Sequence, residues 1–463
     1  MKNVFFGCFL AITIILISCS EEKKASVNVD FTSLSMDVLP VEQIQSGIAD
    51  SIRRKSVNAL ELEISKPLIL SVGERKKTYV FLQPGETIKL TNSNEDSTKL
   101  DFVGEVSTEN KYLQEYAKLD ETAETNHELF PLSKNEPALF FDSLAIKYSG
   151  LEALIEKLKN DTTVNPDFSV AMQERLLSKK ATELILYPEY YNYNNKAMPD
   201  LADDYYKFLD DIDIDSKTLL TFSEGRMVGD EIAGRDINYE DFESTSDYFA
   251  DKLKKVASTF TNKTNRDYFT FVQMESLINF GGGIDGLDDM IIGFRNSTDN
   301  KLLLASIAAV VSPWLSLKSG KIAPEFSGYT RDGKQVNISS LKGKNVYVDV
   351  WATWCGPCIR EIPALKEIEN LHHDQNIEFV SISIDQQKDA DKWRKFVEDK
   401  ELRGTQIMAD KDWRSEVVAK YNIKGIPRFI LIDEKGIIVK ADAPRPSDPK
   451  LLEFFEDLDL KSS

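Results

Sequence analysis

Four cysteines and three histidines in 463 residues leave little material for metal sites or a disulfide framework. Cys8 and Cys19 stand near the N-terminus, and Cys355 and Cys358 stand together near the other end. No scaffold stapled by several disulfides can be built from these. A tetrahedral zinc site is disfavoured too, because one CxxC supplies two of four ligands and no second pair completes them. His127, His372 and His373 offer no local Cys–His dyad: His373 follows Cys358 by fifteen residues, about 22 Å along a helix axis. The pair His372-His373 reads as a charge cap for a helix C-terminus. Long apolar runs are scarce as well, since Val4 to Ile17 is short for a membrane span. Excess positive charge is absent. The formal net charge of -19 argues against nucleic acid as a partner and reads first as solubility. What remains is a soluble protein too long for one ordinary core.

The first residues form a targeting segment, set apart as 1–18. Lys2 precedes the apolar run, which ends in Leu16-Ile17-Ser18-Cys19. That tetrad resembles the bacterial lipobox, and the resemblance implies a lipidated Cys19 that anchors the mature chain to a membrane. Ser20, where an Asp would retain the chain at the inner membrane, is similar to outer-membrane sorting. The expected location is the cell envelope, lipid-anchored, facing periplasm or cell surface, with the outer membrane favoured. Disulfide chemistry persists outside the cytoplasm. A single CxxC in the body of such a chain reads as redox-active rather than as a staple.

Three regions follow. Residues 19–107 read as an antiparallel β-sandwich: Leu60, Leu62 and Ile64 alternate with Glu61 and Glu63, and short apolar runs recur at 68–70, 79–82 and 87–90 between turn residues. Residues 108–319 read as an all-α domain. Leu144, Tyr148, Leu151, Leu154 and Ile155 make one helical stripe, and Asn165-Pro166 makes a helix start. Two features here take the bland reading: the cluster Tyr187, Tyr190, Tyr191, Tyr193 as a helix end, and Gly281-Gly282-Gly283 as an interhelical loop. Residues 320–463 alternate strand and helix, the order of an α/β thioredoxin fold with an inserted helix–strand segment.

In that last region the run 345–351 is a strand apolar on both faces, and Cys355 to Leu371 has helical period. Cys355 stands where the helix opens, and unpaired backbone N–H groups there stabilise a thiolate. Pro357 suits the first turn, where its missing N–H costs nothing. Cys358, one turn further in, is expected to be more buried. Asp349 interrupts the apolar strand six residues before Cys355. A carboxylate there is expensive unless paired or functional, and burial would raise its pKa and make it a proton acceptor for Cys358.

The elements Ala323-Pro324-Glu325-Phe326, Trp351 to Cys358, Glu361-Ile362-Pro363 and Gly425-Ile426-Pro427 resemble the TlpA/ResA-type thiol-disulfide oxidoreductases of the thioredoxin superfamily. The resemblance implies Cys355 as nucleophile, Cys358 as resolver and Asp349 as buried acid. It also implies substrate contacts from Trp354, Gly356, Pro357, Ile426 and a cis Pro427. Arg428 replaces a common threonine and is expected to bring a cation near Cys355; Ser381 replaces the lysine that thioredoxin holds near the acid. Gly356-Pro357 is similar to reducing thioredoxins, so a reductase of partner protein disulfides is expected. It would need no cofactor and would take electrons from a membrane thiol donor. The competing expectation is an envelope scaffold whose helical domain recruits a partner. Intact Cys355 and Cys358 weigh against that, since docking needs neither sulfur.

Overall fold

The computed structural model describes residues 23–29, 38–43, 48–53, 59–72, 77–92, 100–242, 244–458 and 460. Cys19 and the whole targeting segment lie outside them. The chain separates into two compact units, one ending at Gln173 and the other beginning at Glu174. That division differs from the boundaries at 107/108 and 319/320 expected from the change of pattern, and the reason lies in where the helices bury their apolar faces.

In the first unit, strands β1 (Lys23–Val29), β2 (Val38–Gln43), β3 (Ile48–Arg53), β4 (Ala59–Ile64), β5 (Leu68–Val72), β6 (Thr78–Leu82), β7 (Thr87–Asn92) and β8 (Leu100–Phe102) form two four-stranded sheets. Their orders are β4-β1-β7-β8 and β3-β2-β5-β6. One apolar cluster draws on both, including Val27, Ile64, Leu70, Val80 and Ile88. The pairing is not wholly antiparallel as expected: β1 runs parallel to β7. These two strands are far apart in sequence, so no hairpin fixes their relative direction.

Helices α1 (Thr108–Asn126), α2 (Leu129–Leu132) and α3 (Pro137–Lys159) follow. The Asn110 side chain accepts from Phe81 N and donates to Phe81 O, each at 2.8 Å. It thus serves as one rung on β6, which would otherwise end its sheet with unpaired groups. Helix α4 (Pro166–Asn195) opens as predicted, with Asn165 Oδ1 accepting from Asp167 N and Phe168 N. It runs on past Pro188.

The second unit continues with α5 (Ser223–Gly234), α6 (Thr245–Thr259), α7 (Lys263–Phe280), α8 (Asp288–Ser297) and α9 (Lys301–Val311). Tyr187 and Tyr191 are buried edge to face, in keeping with the bland reading. There follow β9 (Ser327–Thr330), β10 (Gln335–Asn337), β11 (Asn345–Trp351), α10 (Gly356–Leu371), β12 (Ile377–Ser383), α11 (Ala390–Asp399), β13 (Thr405–Ala409), α12 (Glu416–Lys420), β14 (Arg428–Ile432), β15 (Ile438–Lys440) and α13 (Lys450–Asp457). The seven strands form one sheet in the order β10-β9-β13-β12-β11-β14-β15. Its centre, β13-β12-β11, is parallel, and β14 is antiparallel to β11. Every residue of β11 is buried, which explains its unbroken apolar reading.

Helices α7 to α9 share this core. Ile278, Ile307, Trp314 and Leu317 belong to one cluster with Val348, Ile430 and Ile438. A polar latch reinforces it. Arg428 lies 3% exposed, ion-pairs with Asp442 at 2.8 Å, donates to Asn279 O at 3.2 Å and sits 5.2 Å from the Trp314 ring centre. Asp442 also accepts from the Gly282 backbone, and Asp285 accepts from the Ser319 hydroxyl at 2.7 Å. The glycines have a geometric reason: Gly283 has φ of +86°, and a Cβ there would meet Trp314 at 2.7 Å. The glycine loop is therefore a joint.

Removing one partner of a buried ion pair leaves the other charged and desolvated. Asp442→Ala is expected to destabilise this unit by about 3–5 kcal/mol in urea unfolding followed by tryptophan fluorescence. The double change Arg428→Met with Asp442→Leu is expected to recover most of that loss. An Asp442→Ala midpoint equal to the parent's would show the pair carries no weight.

Candidate active site

Cys355 is the N-cap of α10, and the helix begins at Gly356 because Pro357 presets the backbone of its first turn. Cys355 and Cys358 are joined as a disulfide with Cα atoms 5.3 Å apart. Cys358 N donates to Cys355 Sγ at 3.2 Å, so an N–H of the helix's first turn points at the sulfur expected to attack. Both cysteines are 4% exposed. Burial thus does not separate them as expected; position on the helix does, since Cys355 lies outside the first turn and Cys358 within it.

The Ile426–Pro427 bond is cis, and Ile426 O lies 3.7 Å from Cys355 Sγ. The Gly425-Ile426-Pro427 segment, far off in sequence, therefore faces the disulfide. On another side, Asp385 fixes the loop between β11 and the first cysteine. Its buried carboxylate accepts from Thr353 N and from the Thr353 hydroxyl, each at 2.8 Å. Trp354 is 52% exposed, with its ring centre 6.4 Å from that of Trp413. The two indoles present a bare aromatic surface beside the disulfide. Sequence reasoning missed Asp385 and Trp413, because each acts on the site from a distant loop with no local motif.

Asp349 is buried on β11. Register sets it opposite Ser381 on β12, whose hydroxyl bonds the carboxylate. Burial pushes the Asp349 pKa up to about 8, with Glu361 and Glu369 adding like-charge repulsion and the Ser381 bond opposing. Serine in place of lysine thus gives the acid a hydrogen bond but no counter-ion. Glu361, which opens the Glu361-Ile362-Pro363 motif, has no role evident from sequence alone. It lies three residues after Cys358, hence on the same helix face, and accepts from the Ser447 hydroxyl and backbone at 3.0 and 3.1 Å. Glu369 sits on the same helix, raised to about 7 chiefly by burial while Arg403 and Lys366 pull it back. A cavity of about 10 Å³, the room of a single water, borders Asp349, Ser381, Glu369 and Gln406.

The Arg428 guanidinium, expected as a cation near Cys355, is engaged by Asp442 and Asn279 O, because a guanidinium with 3% exposure requires a counter-ion. Of the predicted site, Cys355, Cys358, Trp354, Gly356, Pro357, Ile426 and Pro427 converge, and Asp349 lies on the strand that leads into them; Cys19 lies outside the described residues.

The Asp349 carboxyl has a pH signature. Its folded pKa, about 8, exceeds its ordinary value of 3.8, so between those values the folded state binds one proton more than the unfolded state. Stability from this group is therefore complete at low pH and falls as pH rises through about 8. Asp349→Asn removes the effect, and its stability advantage over the parent is expected to grow by roughly 2–4 kcal/mol between about pH 5 and about pH 9. Urea titrations across that range test it; a constant difference would mean an ordinary carboxylate.

The C-terminal part of the chain is similar to known proteins. Residues 318–453 match the Redoxin family model. The thiol-disulfide oxidoreductase ResA of Bacillus cereus is 30% identical over 124 residues, which is 27% of this chain and 69% of that protein. The thioredoxin-like protein YneN of Bacillus subtilis is 31% identical over 125 residues, 27% of this chain and 71% of that protein. Among solved structures, the thioredoxin domain of a thiol-disulfide oxidoreductase from Bacteroides vulgatus is 31% identical, with a TM-score of 0.28, covering 31% of this chain and 98% of that one.

Proposed function

This chain belongs, through its C-terminal domain, to the ResA-type thiol-disulfide oxidoreductases, and from that premise we propose a reductase of protein disulfides working through Cys355 and Cys358. The observation that carries the assignment of roles is the Cys358 N–H directed at Cys355 Sγ where α10 opens. In the reduced protein that donor and the helix N-terminus favour a Cys355 thiolate. The thiolate attacks one sulfur of a partner disulfide; the partner's S–S bond breaks, and its other sulfur leaves as a thiolate that takes a proton. Cys358 then loses its proton toward Asp349 and attacks Cys355 Sγ. The mixed disulfide breaks, the partner leaves fully reduced, and two electrons have passed from this chain to it. A base poised near pH 8 suits a thiol whose ordinary pKa is about 8.5.

Ile426 O and the cis Pro427 beside Cys355 support reading this edge as the place where an extended substrate segment aligns. The resulting Cys355–Cys358 disulfide is returned to the dithiol by an external thiol donor, which we place at the membrane. The motif at Cys19 supports a lipid anchor and an envelope location, the outer membrane favoured; among the described residues no helix is long and apolar enough to cross a membrane. For the N-terminal region, two four-stranded sheets around one apolar cluster support a β-sandwich.

Insulin reduction driven by dithiothreitol tests the central reading. Wild type is expected to accelerate it, Cys355→Ser to fall to the uncatalysed rate, and Cys358→Ser to accumulate a mixed disulfide with insulin that excess dithiothreitol releases. Equal rates for wild type and Cys355→Ser would overturn the assignment.

A further inference from the structure

The glycine joint puts a side chain of the helical segment at the redox site. Phe280, the last residue of α7, is 50% exposed, yet its ring rests over Gly425: a Cβ on that glycine would lie 3.5 Å from Phe280 Cε1. Gly425 immediately precedes Ile426, whose carbonyl faces Cys355 Sγ. On the same side a groove of about 450 Å³ opens between α7, α9 and the segment before the cis proline. Glu275, Asn279, Val310, Pro313, Asn422 and Lys424 are among its lining residues. Lys424 is the residue before Gly425, so the groove's lining comes within two residues of Ile426 along the chain.

We propose that Phe280 and this groove form an extension of the substrate site, occupied by the polypeptide on one side of the substrate's disulfide. The proposal rests on the reductase reading and deepens it. Three observations favour a polypeptide over a small thiol compound. The groove's lining includes Lys424, two residues before the Ile426 carbonyl that faces the disulfide, and its volume exceeds what a single side chain fills. Its walls alternate apolar surface, from Val310 and Pro313, with carboxylate, amide and ammonium groups from Glu275, Asn279 and Lys424. Such mixed lining suits a main chain with varied side chains, with Phe280 covering an apolar residue near the reacting cysteine. The buried Arg428–Asp442 pair and the packed glycine loop hold these walls rigidly against the redox sheet. A small disulfide needs only the cysteines and the cis-proline edge; a polypeptide meets the helical segment as well.

The test uses the full chain with two substrates, insulin and hydroxyethyl disulfide. Phe280→Ala with Lys424→Glu removes the ring and reverses a charge at positions that are largely exposed. Ser306→Trp, made separately, fills the groove without touching either. Both variants are expected to raise the KM for insulin by about five- to tenfold with kcat little changed. Their rate on hydroxyethyl disulfide and their reduction potential are expected to equal wild type. An unchanged KM for insulin in both variants would overturn the proposal, as would an equal loss on both substrates, which would show an effect on the disulfide itself. Failure of the underlying reading looks different: wild type would then match Cys355→Ser on both substrates, and the extension would fall with it.

Discussion

The backbone N–H of Cys358, aimed at Cys355 Sγ, is the interaction on which the rest of the site depends. It exists because α10 must begin at that point: Pro357 cannot continue an upstream hydrogen-bond ladder but fits a first helical turn. The four N–H groups that any helix leaves unpaired at its start then need an acceptor, and Cys355 at the N-cap supplies one. The neighbouring elements keep that geometry fixed. Asp385 ties down Thr353 just before it, and the cis Ile426–Pro427 segment closes the opposite side.

At Asp349 the electrostatic situation is the opposite. Asp349, Glu361 and Glu369 gather on one side of β11 with Ser381 as the hydroxyl partner of Asp349, so like charges and burial act together on one carboxyl. The helix terminus favours a negative Cys355 sulfur, while burial and like charges disfavour a negative Asp349 carboxyl. A lysine at position 381 would stabilise the charged carboxylate; serine supplies a hydrogen bond without a counter-ion.

Much of the redox half was legible in the sequence because its signals are local. The apolar run of β11, Asp349 within it, and the Cys-Gly-Pro-Cys start of α10 sit within fourteen consecutive residues. The strands at 59–64 and 68–70 were legible for the same reason, by alternation and turn residues. Contacts that join distant segments were not. Arg428 follows Pro427 and so reads as an active-site cation, yet its guanidinium is engaged by Asp442 and Asn279 O, contacts that no local motif announces. The glycine loop at 281–283 matched no ligand motif, since its requirement is steric: it must pass Trp314 and reach Asp442. The change from helical period to strand–helix alternation suggests a boundary at 319/320, while apolar burial carries α7 to α9 into the core of the redox sheet. These helices thereby share a core with the redox sheet.

The central claim is that helix geometry makes Cys355 the reactive thiol of the pair. Alkylation of the reduced protein by iodoacetamide as a function of pH, with mass spectrometry locating the modified residue, measures this directly. The account predicts that Cys355 is modified first and titrates well below the ordinary thiol value of about 8.5, while Cys358 stays unmodified under the same conditions. Modification of Cys358 first, or a Cys355 titration at or above that ordinary value, would contradict it.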